Sequence, residues 1–100
     1  MTTDISRQNQ ELTVKVNGQL DAVTSEEFLR TIEKELEGIR TIVIDCSGLV
    51  YISSAGLRAL VALGNDLGDQ DGSVRLRNVG EQVAEVLKLT GMNELFSIID

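Results

Sequence analysis

Leu12, Val14 and Val16 alternate with Thr13, Lys15 and Asn17, the period of two that a half-buried strand requires. Polar residues around Ile5 predict a short edge partner just before it, so the two form a hairpin. Apolar residues then return every fourth position at Phe28, Ile32 and Leu36, one face of a helix. Thr24-Ser25-Glu26-Glu27 supplies a capping box for that helix, Val23 and Phe28 a hydrophobic staple, and Gly38 a left-handed residue to end it. Ile42-Val43-Ile44 is apolar without alternation, the pattern of a strand covered on both faces. Leu57, Leu60, Val61, Gly64 and Leu67 keep to one helical face and predict a helix over 54–68, which Asp69-Gln70-Asp71-Gly72 ends with turn chemistry. A strand over 73–78 points Val74 and Leu76 inward. Val83, Val86, Leu87 and Thr90 repeat at helical spacing until Gly91, and 95–99 adds a short strand. This order predicts an α/β domain: a small mixed sheet, made of an N-terminal hairpin plus parallel central strands with right-handed crossovers, packed by helices.

One hundred residues with 42% hydrophobic content suit a single domain over 1–100. Nine Lys and Arg against sixteen Asp and Glu give a formal charge of −7. Nucleic acid and anionic membrane are therefore poor partners, because both demand clustered cations. Arg75 and Arg77 form the densest basic pair, and two residues apart on a strand they mark its solvent face. A protein surface is the better partner. Met1 to Gln10 lacks the apolar core of a signal peptide, and no run approaches the roughly 18 apolar residues of a membrane span, so the expected location is cytoplasmic. Cys46, the lone cysteine, follows an apolar strand and fits a buried small hydrophobe better than a reactive thiol.

The candidate chemistry sits between Ile44 and Arg58. There a buried strand runs into a loop that delivers two adjacent hydroxyls, Ser53 and Ser54, to a helix start. A helix N-terminus offers unpaired N–H groups and the positive end of the macrodipole, which suit a phosphoryl group. In open α/β sheets the useful crevice lies beyond the carboxyl ends of the strands, where this loop falls. Catalysis lacks its usual parts: the chain has no histidine, no nucleophile elbow, no P-loop and no Cys/His cluster for zinc. A Ser-dependent hydrolase pairing Ser54 with Lys15, Lys34 or Lys88 has no motif spacing behind it. No metal ligands or catalytic residues are assigned.

Asp45 to Arg58, with Leu49, Tyr51 and Ile52 before Ser53-Ser54-Ala55-Gly56-Leu57, resembles the signature of the STAS domain, specifically the bacterial anti-sigma factor antagonists. Gly18-Gln19-Leu20-Asp21 resembles the family's Gly-Glu-Leu-Asp turn, and Leu89 to Phe96 its closing segment, so the resemblance covers nearly the whole chain. It implies a STAS-like fold and a protein that binds, unphosphorylated, an anti-sigma factor that is itself a serine protein kinase, releasing a sigma factor. Phosphorylation would end that binding and a PP2C-type phosphatase would restore it. ATP and magnesium would belong to the kinase, and this chain would need no cofactor. Matching Gly56-Leu57 to the family's Gly-Leu aligns Ser54 with the phosphorylated serine. Ser53 departs from the family, where Asp often stands; either hydroxyl can be the cap or the acceptor, and alignment favours Ser54. The resemblance places Asp21, with Ser53, Ser54, Gly56 and Arg58, at the partner surface; a solvated turn carboxylate is the other reading of Asp21. Arg58, one turn into the helix, can meet a phosphate or an acidic partner, or stay solvated. Gly56 permits close approach at the helix start, and Tyr51 fits a core or loop anchor. The alternative within the family is a phosphorylation-independent accessory subunit of a transporter ATPase or signalling scaffold.

Overall fold

In the computed structural model, which describes residues 1–69 and 72–99, the alternating segment is the second strand of a hairpin. β1 (Thr2–Gln8) and β2 (Glu11–Leu20) run antiparallel across a two-residue turn. Asn9 there has φ +58°, a left-handed conformation that asparagine tolerates. Leu12, Val14, Val16 and Leu20 are fully buried, and Ile5, opposite Val14, packs against the same core.

β3 (Thr41–Ile52), β4 (Ser73–Arg77) and β5 (Ser97–Ile99) follow in parallel, in the spatial order β1-β2-β3-β4-β5. The three crossovers carry α1 (Thr24–Glu33), α2 (Ser54–Gly68) and α3 (Glu81–Thr90). Every parallel step advances the same way across the sheet, so right-handed crossovers put all three helices on one face. Burial agrees. The cross-strand rows Leu12-Ile42-Val74 and Val14-Ile44-Leu76 are buried in the core, while Thr13-Val43-Arg75 and Lys15-Asp45-Arg77 belong to the other face. Ile42-Val43-Ile44 is therefore not covered by helices on both sides, as its sequence suggested. Val43 is only 4% exposed because its row neighbours Thr13 and Arg75 flank it on the polar face. On that face Asp4, Lys15, Asp45 and Arg77 alternate in sign across four strands. Opposite charges side by side suit a sheet, and Arg77 lies 3.8 Å from Asp45.

Two helix ends differ in an instructive way. α3 ends as predicted on left-handed Gly91, φ +77°. α1 stops at Glu33, before Gly38, because the chain there enters a separate turn in which the Ile39 N–H donates to the Leu36 carbonyl at 2.9 Å. Gly38, φ +77°, serves that turn, and Leu36 stays buried through it rather than through the helix. Gln70 and Asp71 of the turn predicted at 69–72 lie outside the described residues. After α3, Met92–Glu94 form a 3-10 turn and Phe96 closes the core. Among the described residues no helix is long and apolar enough to cross a membrane.

Candidate functional site

The segment from Asp45 to Ile52, expected as a loop, continues β3. Against β2 its register shifts twice: Lys15 faces Asp45 but Asn17 faces Gly48, and Gly18 faces Leu49 but Gln19 faces Tyr51. Each shift inserts one extra residue in β3, a bulge that bends and twists the strand. Gly48 lies so close to β2 that a Cβ would fall 2.1 Å from Asn17 Oδ1 and 3.0 Å from the Val16 carbonyl oxygen, and Gly18 sits at φ +110°. The bulged strand ends against β2, where the Ser53 N–H donates to the Leu20 carbonyl at 2.8 Å.

The two serines then divide the work. Ser53 is the N-cap of α2: its backbone is extended (φ −94°, ψ 176°) and its Oγ accepts the Gly56 N–H at 3.3 Å. Ser54 is the first helical residue. It is exposed, and among the described residues its hydroxyl makes no hydrogen bond. No acidic side chain occupies the first turn of α2, so the positive end of its dipole is uncompensated by its own sequence. Gly56 fixes where this turn sits. It is buried, and a Cβ on it would lie 2.7 Å from Ile52 Cγ1 and 2.9 Å from both Cβ and the carbonyl oxygen of Leu20. Its contribution is to let α2 start against the ends of β2 and β3, with no surface of its own to offer.

Asp21, at the end of β2, is drawn into the start of α1. Its Oδ1 accepts the N–H groups of Val23 and Thr24, both at 3.0 Å, while its own N–H donates to Thr24 Oγ1 at 3.0 Å. The Thr24 hydroxyl in turn donates to the Gln19 carbonyl at 2.6 Å. The result is a reciprocal capping box on Asp21 and Thr24, three residues upstream of the expected Thr24-to-Glu27 box. Val23 is 82% exposed, so the expected staple does not form. The bonds from the Thr24 and then the Val23 backbone hold the Asp21 carboxyl below the usual carboxylate range. Asp21 therefore stands beside the serine loop as a fixed negative charge with a structural task.

Arg58 lies one turn beyond Ser54, exposed, and among the described residues it has no ion-pair partner. It lines a cleft of about 240 Å³ between α1 and α2 together with Ala22, Ser25, Glu26, Leu29 and Ala55. Glu26 across the cleft is already bonded to Arg30, and the buried Ser25 hydroxyl has no hydrogen-bond partner among the described residues. Tyr51 is 50% exposed next to Val50 at 59%, so it is no core anchor; together they leave an apolar rim at the end of β3. Depressions of about 360 and 440 Å³ lie at the opposite end of the sheet, around Gln10, Arg40 and Lys34, away from the serines.

Two further groups are structural. Asp45 accepts the Ser47 N–H at 3.0 Å and the Asn78 amide at 3.2 Å. The Ser47 bond foremost, then Asn78 and the Arg77 charge, keep its carboxyl below the usual range. Cys46 is buried, and that burial, reinforced by the Asp45 charge, pushes its thiol up to about 12. Among the described residues no group of three or more His, Cys, Asp or Glu is placed to hold a metal. Ser53, Ser54, Gly56, Arg58 and Asp21 thus meet at the carboxyl ends of β2 and β3, which sequence spacing alone did not establish for Asp21.

Residues 2–100 match the family model of the STAS domain. A STAS-domain containing protein of Pseudomonas aeruginosa is 27% identical over 93 residues, 93% of this chain and 92% of its own length. The anti-sigma-B factor antagonist of Staphylococcus aureus is 26% identical over 86 residues, 85% of this chain and 80% of its own. The fold is shared with the Bacillus cell fate determinant SpoIIAA in its phosphorylated form, at a TM-score of 0.77 and 16% identity over 99% of this chain and 92% of that one.

Proposed function

This chain belongs to the STAS domain family, and from that premise we propose that it is an anti-sigma factor antagonist switched by phosphorylation of Ser54. The observation that carries the proposal is the division between the serines: Ser53 holds the helix cap, and Ser54 presents an exposed, unengaged hydroxyl one residue later. Where relatives often have Asp, Ser53 stands here, and both side chains accept the same cap bond. The departure leaves the acceptor's position intact and removes one negative charge beside it. The names of the Staphylococcus aureus relative and of the phosphorylated SpoIIAA structure agree with this role.

Unphosphorylated, the protein binds an anti-sigma factor with serine kinase activity and so frees a sigma factor. The ends of β2 and β3, with the half-exposed Tyr51 and Val50 and the charges of Asp21 and Arg58, form the docking face. Transfer of a phosphoryl group to Ser54 Oγ by that kinase, which brings ATP and magnesium, adds about −1.5 to −2 charge. At the start of α2 that charge meets the favourable end of the dipole, so the helix stays folded. The cost falls on the complex, where a hydrated dianion must be desolvated against the phosphate-bearing mouth of the kinase. A PP2C-type phosphatase resets the switch in the cytoplasm. The chain itself catalyses nothing in this scheme.

Capture from native lysate followed by mapping of phosphosites tests the proposal. Co-purification of an anti-sigma kinase, with phosphate on Ser54 that Ser54→Ala abolishes and Ser53→Ala retains, supports it. Phosphate on Ser53 alone overturns the residue assignment. Stable association with a transporter ATPase and no phosphate overturns the switch in favour of an accessory subunit.

A further inference from the structure

We propose that Arg58 is the intramolecular receiver of the phosphate carried by Ser54, closing an ion pair over the first turn of α2. The inference rests on Ser54 as the acceptor and adds a residue to that site. Ser54 and Arg58 stand four apart on one helix, the spacing at which side chains lie one above the other with Cβ atoms about 5–6 Å apart. Both are exposed, and among the described residues neither side chain has a partner. The anion is N-terminal to the cation, the favourable order for such a pair.

Arg58 is the one cation on α2, so it alone stands at helical spacing from Ser54. Asp21, on the turn beside the loop, is a carboxylate fixed by the Val23 and Thr24 N–H groups. Glu26, from α1, faces the same cleft as Arg58 but is held by Arg30. Glu81 opens α3 at the same end of the sheet. Lys15 and Arg77 belong to the row on the helix-free face of the sheet, and Arg77 is paired with Asp45. A dianion placed on Ser54 therefore joins the Asp21 and Glu26 carboxylates, with the Arg58 guanidinium and, on the far side of Asp21, the Met1 ammonium as the cations at that end. In the unmodified chain Arg58 is also in an unfavourable place, a cation near the positive end of a helix with no acidic residue in its first turn. A phosphate four residues upstream removes that conflict and draws the guanidinium from the rim of the α1–α2 cleft toward the helix start. One modification thus alters two neighbouring surfaces, the serine loop and the cleft.

Phosphoserine installed at position 54 during translation of the full chain lets the pair be measured without the kinase, by ³¹P NMR titration of the second phosphate ionisation. Arg58→Gln should raise that pKa by about 0.15–0.4 unit, the size of an exposed pair at this spacing. Arg58→Lys should recover most of the shift, and Lys34→Gln, which removes an exposed cation at the opposite end of the sheet, should leave it unchanged. An Arg58→Gln titration superimposable on that of the parent, or an equal shift from Lys34→Gln, overturns the proposal. Because the phosphate is supplied genetically, a kinase that modifies Ser53 instead sinks the assignment of the switch but not this pairing.

Discussion

Ser53→Ala removes the oxygen that accepts the Gly56 N–H, whereas Ser54→Ala removes no hydrogen bond. Loss of an N-cap costs about 0.5–2 kcal/mol, and the 3.3 Å length of this bond places the change in the lower half, about 0.5–1 kcal/mol. For a domain of this size such a loss lowers the melting temperature by about 2–8 °C. Ser54→Ala puts a good helix former at an exposed first helical position, so its stability should stay within about 0.5 kcal/mol of the parent. Ser53→Asp keeps a cap acceptor and adds a favourable charge at the helix start, so it should match or exceed the parent. Urea denaturation of the four proteins at pH 7, read by far-ultraviolet circular dichroism, makes the comparison. With a cognate kinase the order should invert: Ser53→Ala should accept phosphate and Ser54→Ala should not. A Ser54→Ala protein that is destabilised as much as Ser53→Ala would refute the division of roles.

Gly56→Ala forces a Cβ to within 3 Å of the Leu20 backbone and Ile52, so overpacking should cost about 1–3 kcal/mol; an unchanged melting temperature would remove Gly56 as the residue that sets the helix start. Asp21 and Asp45 have depressed folded-state pKa values, so their contributions are complete above the ordinary Asp pKa of about 3.9 and vanish as pH falls through the lower folded values. Melting temperature should therefore drop below about pH 4, and Asp21→Asn with Asp45→Asn should flatten that acid limb; a double variant with the parent's slope would contradict the hydrogen-bond assignment. Cys46, buried with its thiol pushed up to about 12, should react with a disulfide reagent only at the rate at which the chain opens, so reaction in native buffer as fast as in urea would show the site to be exposed.

Local patterns with one physical solution were legible in the chain. Alternation at 12–16 had to be a strand with one buried face, and the apolar stripe from Leu57 to Leu67 had to be a helix lying on it. The bulges were not legible. Core-facing positions in β3 run 42, 44, 46, 49 and 52, a step of two that becomes three, but consecutive apolar residues from Leu49 to Ile52 hide the change of phase. The α1 cap was ambiguous because Asp21 to Thr24 and Thr24 to Glu27 both have box spacing; the end of β2 decides, since it brings the Asp21 N–H to the Thr24 hydroxyl. Adjacent hydroxyls at 53 and 54 were likewise equivalent until the contact of Gly56 with Leu20 and Ile52 set the phase of α2 and directed its N–H at Ser53. Helices on one face only could not be read from Ile42-Val43-Ile44, because Val43 is buried by its row neighbours and looks the same in sequence as a residue under a helix.

The proposed phosphorylation of Ser54 changes affinity without changing the fold. Isothermal titration of the nucleotide-loaded anti-sigma kinase with purified unphosphorylated and phospho-Ser54 protein measures it directly. Like charges juxtaposed across an interface cost several kcal/mol, so the phosphorylated form should bind at least about a hundredfold more weakly, about 2.8 kcal/mol, with superimposable circular dichroism spectra. Equal affinities for the two forms would rule out the switch.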